Sequence, residues 1–494
     1  MANEHEPKTI GRIPDVSTES TPLVAALSTR VVWAAWLVSV AVLVWTVRSD
    51  WTGVVVGPFA IDGLTVLLWT VVTFFSGVVH SYGRRYMAGT KGMTRFYTRI
   101  FAFTLFVAVL AAADHLALFV LAWLSMGLVM ADLVGHVRGW PQARSAASHA
   151  RKYFVASTLS LAVGVGVLWN ATGAATVSGI LPQVDQLSTV TALVAGGALL
   201  LAAAIQSALV PFHGWLMSSM TAPTPASALM HAGFVNAGGV LLTRFAPVMT
   251  AELELMLVVT VVGGLSALVG KLMKSVQPAV KNKLGCSTTG QMGFMIMQAG
   301  LGFFGAALTH LILHGFYKAY LFLSSGEAVE HRSPEEKPTT GVGLRGGAVT
   351  AVVGIAGGAL FGVLTGEGTH LGSGLLLPLF VVLTTLHATR TVLTSESLPA
   401  TLRYVGFPAV FLAAIGLYAG VYSAVSAALV GVPTAAPAEL TAVHGLIAVA
   451  FVAAYVAVDR GWHRSSKRLY VMLLNHSQPT PDTVLTNTED YYEY

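Results

Sequence analysis

The chain has 494 residues, of which 54% are hydrophobic and only 10% charged, whereas soluble domains carry about 25% charged residues. That balance makes lipid the solvent for most of the chain and leaves no room for a soluble catalytic domain. The formal charge of +5 is gathered in a few loops and does not point to nucleic acid; the one cysteine, Cys286, excludes a disulfide framework or a CxxC metal site within the chain.

In chain order, the polar start at 1–30 has no apolar h-region, so no cleavable signal peptide is expected and the segment reads as a cytoplasmic tail. From 31 to 458 the sequence reads as one all-α, polytopic membrane domain of about 14 transmembrane helices. The expected spans are 31–47, 59–80, 97–113, 115–135, 153–170, 189–210, 223–247, 255–273, 284–301, 304–326, 346–364, 373–393, 405–430 and 440–458. Fifty glycines suit closely packed membrane helices. The segment PQARSAASHARK before the fifth span reads as an amphipathic surface helix, and 459–494 as a cytoplasmic tail, partly disordered or docked on a partner.

The basic residues test this topology. With the N-terminus inside, all of the 28 Lys and Arg except Arg48, Arg244 and Lys318 fall in or at the edge of cytoplasmic segments. Such segregation is what positive-inside insertion produces, and it places both termini in the cytoplasm of a cell-membrane protein.

Lys318 is the exception inside a span. The stretch 304–326, FGAALTHLILHGFYKAYLFLSSG, carries His310, His314 and Lys318 at steps of four, hence on one flank of a helix. A cation at that depth costs a few kcal/mol and is rarely idle, so the row reads as part of an ion path. Successive steps are about 6 Å apart, which calls for bridging water and predicts a wet cavity beside this helix.

A second distinctive stretch is 211–244, PFHGWLMSSMTAPTPASALMHAGFVNAGGVLLTR. Pro223 and Pro225 cannot both sit inside an unbroken helix, so they mark either a helix break lining a wet cavity or a hairpin at the membrane surface. His213 and His231 flank that break, and His231 reads either as a proton relay or as a structural hydrogen-bonder. Asp62 reads as a helix cap facing solvent rather than a transport residue. Asp132, with His136 four residues on, reads as a carboxylate–histidine pair or a relay; Glu367, His370 and His387 are weaker candidates.

These residues resemble the proton-conducting, antiporter-like membrane subunits of respiratory complex I and of Mrp-type cation/proton antiporters. The carriers are DGL at 62–64, PFHGWL with APTPASALMHA, VKNKLGCSTTGQMGFM at 280–295 and HLILHGFYKAYLFLSSG at 310–326, across a core of about 60–365. Within that superfamily, PFHGWLMSS, ALMHAGFVNAGG and the Gly-Phe-Tyr before Lys318 look most like the membrane subunit of DAB-type inorganic-carbon transporters. The resemblance implies two inverted five-helix repeats, each with a broken helix, and puts the family's path histidines and lysine on His231, His310, His314 and Lys318. Two positions depart from the complex I-type pattern: Leu124 follows Trp123 where a glutamate is expected, and Gln206 stands where a lysine is expected. Gln206 could hydrogen-bond a water file but does not titrate.

The resemblance therefore implies a proton- or sodium-conducting subunit, not itself an enzyme. It would energise uptake of carbon dioxide or bicarbonate by a large, mostly cytosolic partner with a carbonic-anhydrase-like zinc site. The zinc belongs to that partner, and no cofactor or metal is expected here. The alternatives are a pumping subunit of complex I, an Mrp-type Na+/H+ antiporter subunit and a packing scaffold.

Overall fold

The computed structural model describes residues 22–49, 51–325, 343–368, 372–394, 398–429, 432 and 435–484. Most of the charged loop expected at 327–345 (residues 327–342), His370 and the acidic end at 485–494 lie outside the described residues.

Fourteen long spans account for nearly all the structure. They begin with α1 (Leu23–Ser49), α2 (Gly63–Tyr86), α3 (Met93–Ala112), α4 (Leu116–Val134), α5 (Pro141–Thr172) and α6 (Thr189–Gln206). A short α7 (Gly214–Ser218) leads to the seventh span, which is built of α8 (Thr224–Ala232) and α9 (Ala237–Arg244). The rest are α10 (Leu253–Val276), α11 (Val280–Gly300), α12 (Phe304–Leu323), α13 (Leu344–Thr365), α14 (Leu376–Leu393), α15 (Phe407–Ala428) and α16 (Ala442–Asp459). Twelve of these spans are long and apolar enough to cross a membrane; α11 and α12 match them in length but are more polar. The one sheet among the described residues is a hairpin of β1 (Val54–Val56) and β2 (Phe59–Ile61) before α2.

Local chemistry sets the helix ends. Asp62 caps α2, its carboxylate accepting from Thr65 N at 2.8 Å, and Ser188 caps α6 through Thr191 N. Pro141 opens α5, where a missing N–H costs nothing. The segment PQARSAASHARK is not a separate surface helix: it is the first part of the 32-residue α5, since nothing between Pro141 and Thr172 interrupts helical pairing.

The interruption in the first half is longer than the prolines suggest. The chain leaves helix after Gln206, Ala208 takes φ 53°, and helix resumes at Gly214. The groups freed there find partners, as they must in lipid. Trp215 Nε1 donates to Ile205 O at 2.9 Å, Leu209 N to Ala204 O at 2.9 Å and Val210 N to Ser266 Oγ at 3.2 Å. Pro223 then sits extended just before α8 and Pro225 in its first turn, so this pair starts a helix instead of splitting one. The seventh span breaks after His231, at Gly233 and the 3-10 turn Phe234–Asn236, where Asn236 Nδ2 caps Ala232 O at 2.7 Å. In the second half α12 and α14 are each continuous.

Packing places the row. Glycines bring α10 and α11 backbone to backbone: a methyl on Gly263 would strike Met297 N and Gly293 O, and one on Gly270 would strike Gly290. Helix α12 lies against α8 and α11. One apolar core runs through these elements, and a smaller one joins α11 and α12 to α13–α16.

The tail folds back onto this domain. After α16, α17 (Lys467–His476) and residues 477–484 dock against α5, α7 and α10. Gln277 Nε2 donates to Ser477 O at 3.0 Å, Thr480 N donates to Ser218 Oγ at 3.1 Å, and Ser145 Oγ donates to Asp482 O at 2.8 Å. The described part of the tail thus has its partner within its own chain.

Candidate ion path

Helix α12 delivers the row that its sequence spacing implies. His310 is partly buried, His314 buried, and Lys318 wholly so at 0% exposure. The His310 and His314 rings lie nearly parallel with centroids 6.0 Å apart, one helical step. Lys318 Nζ donates to the carbonyl of Leu284 in α11 at 2.9 Å and has no ion-pair partner among the described residues. A buried ammonium is ordinarily paired, because Born desolvation is costly; here one carbonyl dipole stands in for a counter-ion.

His231 joins the same assembly from α8. Its ring stacks on Phe322 of α12 at 4.3 Å, and its Nδ1 lies 2.9 Å from Thr288 Oγ1. The Thr288 hydroxyl donates to Leu284 O at 2.9 Å, which leaves it as an acceptor toward the histidine. Neutral His231 therefore carries its proton on Nδ1, and its lone pair is on Nε2, which is buried without a partner. His310 Nε2 and both ring nitrogens of His314 are likewise buried and unpartnered. The open nitrogens and the Lys318 ammonium are the groups that could pass a proton through intervening water.

A cavity of about 370 Å³ opens beside α12 and is lined, of the row, by His310 but not by His314 or Lys318. Its lining includes Lys271, Lys274, Gln291, His387 and Tyr455. His387 thus belongs to this cavity, on α14.

The other candidates are placed elsewhere. Gln206, at the end of α6, is fully buried with both amide atoms unpartnered, beside the helix interruption. His213 lies in the same interruption and holds the docked tail, its Nε2 2.9 Å from His476 O. Leu124 follows Trp123, whose Nε1 donates to Ser157 Oγ at 3.0 Å.

Three acidic positions have partners that the sequence reading did not assign. Asp62 does cap α2, but it does not face solvent: it pairs with Arg244, whose Nη2 also donates to Thr65 Oγ1 at 3.0 Å and to Ala111 O at 2.9 Å. Burial works to raise the Asp62 pKa, but the Arg244 charge and the hydrogen bonds from Arg244 and Thr65 outweigh it and hold it below the ordinary value. Asp132 is paired not with His136 but with Arg99 at 3.1 Å and Arg151 at 3.0 Å. His136 instead sits edge-on to Phe96. Glu367 accepts from Tyr422 Oη at 2.6 Å, and burial pushes its pKa up.

Sequence reading missed Thr288, Leu284 and Arg244. Thr288 lies within the VKNKLGCSTTGQMGFM string, so its signal was present as a run of small hydroxyls on a membrane helix. Among the described residues no group of three or more His, Cys, Asp or Glu could hold a metal.

Comparison with known proteins places this arrangement. The family model described as NADH:quinone oxidoreductase/Mrp antiporter, transmembrane, matches residues 112–347, and that described as complex I chain 5 N-terminus matches 55–97. Over these residues the chain is similar to this antiporter-like family of membrane subunits. Among its relatives is a protein of Halothiobacillus neapolitanus named "probable inorganic carbon transporter subunit DabB1", 36% identical over 316 residues, covering 62% of this chain and 56% of the relative. The Bacillus subtilis protein named "probable inorganic carbon transporter subunit DabB" is 34% identical over 65% of this chain and 64% of its own length. Subunit L of the Mycobacterium tuberculosis NADH-quinone oxidoreductase is 34% identical over 56% of this chain and 44% of its own. The chain spans between about half and two thirds of the length of the carbon-transporter relatives. In fold it is similar to the Mrp complex from Dietzia sp. DQ12-45-1b, with TM-score 0.66 at 22% identity over 91% of this chain and 56% of that one. It is also similar to the archaeal membrane-bound sulfane sulfur reductase, with TM-score 0.59 at 15% identity over 93% of each chain.

Proposed function

We propose that the chain conducts protons or sodium ions through the cell membrane and thereby energises inorganic-carbon uptake by a partner subunit. The observation that carries the conduction is Lys318: a fully buried ammonium, held among the described residues by one backbone carbonyl, at the end of a histidine row that starts in a cavity. Such a group is poised to lose and regain its proton as water or a neighbouring imidazole presents itself. The proton's course runs from the cavity at His310, through His314, to Lys318 and His231.

The carbon role is supported by the names of the DabB relatives and by the residues of the first half. Gln206 and Leu124 leave that half without the titratable pair that a coupled pump of the complex I type uses. A subunit that lets cations run down their gradient needs no such pair. The partner in this reading is a large zinc protein that hydrates carbon dioxide on the cytoplasmic side, where both termini of this chain also lie.

The test is Lys318→Ala in cells that depend on this system for growth in air. Radiolabelled bicarbonate uptake is expected to fall at least about tenfold, the size of effect that loss of a single required proton carrier produces. Uptake at the wild-type rate, with the variant present in the membrane at normal level, overturns the reading.

A further inference from the structure

The cavity beside α12 is oddly charged for a place where cations gather. Lys271 and Lys274 of α10 line it together with Gln291, Ser287, His310 and His387, and no carboxylate is among its lining residues. Neither lysine has an ion-pair partner among the described residues. Asp459, at the end of α16, is engaged with Arg390. Lys271 is exposed and Lys274 partly so, whereas His310 keeps a buried, unpartnered Nε2.

We propose that this cavity is a binding site for a small oxyanion, of the bicarbonate or phosphate class, held by Lys271 and Lys274. Gln291 and Ser287 supply neutral donors, and Phe294, Phe380 and Phe451 give the site apolar walls. An anion between the two lysines lies in the cavity that His310 also lines, at the start of the row. The site thereby puts an anion at the entry to the row. That consequence rests on the conduction reading above; the binding site does not. The same chemistry is available from a dissolved anion or from the phosphate of an anionic lipid, since basic pockets between membrane helices take both.

The experiment uses the full-length chain, with any subunits that copurify, in nanodiscs. Thermal unfolding is followed by tryptophan fluorescence as sodium bicarbonate is added at fixed pH. Wild type, Lys271→Gln/Lys274→Gln, Lys271→Arg/Lys274→Arg and the outlying control Lys152→Gln are compared, so that general salt effects cancel. In zwitterionic lipid a saturable stabilisation is expected in wild type, in the Arg variant and in the control, with the half-saturating concentration raised at least about tenfold in the Gln variant. If bicarbonate has no effect, but cardiolipin discs stabilise wild type and the Arg variant over the Gln variant, the oxyanion is a lipid headgroup and the site stands. Equal responses of wild type and the Gln variant in both lipids overturn it. None of these outcomes depends on transport, so the site can fail while the Lys318 result holds, and the reverse.

Discussion

Lys318 and His231 meet on one turn of α11: the carbonyl of Leu284 accepts both the Lys318 ammonium and the Thr288 hydroxyl, and that hydroxyl accepts from His231. A charge change on either side chain therefore reaches the other through a single peptide group. Thr288→Val keeps the shape and removes the hydroxyl. It frees the His231 tautomer and leaves a buried N–H unpaired, a cost of about 1–3 kcal/mol. Cation flux in proteoliposomes is expected to fall several-fold in Thr288→Val and to recover in Thr288→Ser.

Gln206 offers the opposite expectation. Its side chain is buried and hydrogen-bonds to nothing among the described residues, and it does not titrate. If the path is concentrated in the second half, Gln206→Leu retains bicarbonate uptake within about twofold, while Lys318→Ala does not. A loss in Gln206→Leu as deep as in Lys318→Ala would return the first half to the path.

The Asp62–Arg244 pair ties the start of α2 to the end of α9, with the two side chains 20% and 11% exposed. Removing one partner of such a pair costs roughly 3 kcal/mol, because the other stays buried and unpaired. Asp62→Asn should lower the unfolding temperature in detergent. The pH dependence has a definite sign. The folded-state pKa of Asp62 is lowered, so its contribution is complete above the ordinary carboxylate value and is lost as pH falls below it. Wild type should lose stability on acidification below about pH 4, and Asp62→Asn should show less of that loss.

Glu367 behaves in the reverse sense. Burial raises its pKa, and the Tyr422 hydroxyl partly offsets that by favouring the carboxylate. Its ionisation opposes folding, so its contribution is complete at acid pH, below the ordinary carboxylate value, and is lost as pH rises through the raised value. Tyr422→Phe removes the offset. Its destabilisation is expected to be larger at pH 7 than at pH 4, by about 1 kcal/mol, in parallel melts of variant and wild type.

The docked tail has its own signature. Truncation after Ser466 removes the bonds to His213, Ser218 and Gln277. Backbone hydrogen exchange is expected to rise at 207–223, where the chain is not helical throughout, and to stay unchanged in α10 and α11. Unaltered exchange at 207–223 would show that the tail does not support the interruption.

The sequence made the row on α12 legible because helical periodicity alone puts His310, His314 and Lys318 on one flank. The membrane class and the spans were legible for a similar reason, since length and apolarity are local properties. What it hid were relations between distant positions. Arg244 finds Asp62 across 182 residues, and Asp132 finds Arg99 and Arg151 from neighbouring helices instead of the histidine one turn away. Nothing local marks Leu284, because its contribution is a backbone carbonyl. The position of the break was misjudged because prolines at a helix start cost nothing, whereas Gly233, which does interrupt the seventh span, reads as one of fifty glycines.

The glycine contacts between α10 and α11 have a mechanical meaning. With backbones touching at Gly263, Gly270, Gly290 and Gly293, neither helix can slide past the other without collision. The carbonyl beneath Lys318 and the two lysines of the cavity are carried by this pair, and so keep a constant separation. The pair is a stator: in the function proposed above, work exchanged with a partner subunit would pass through movement of α12, or of the water beside it, against a fixed frame.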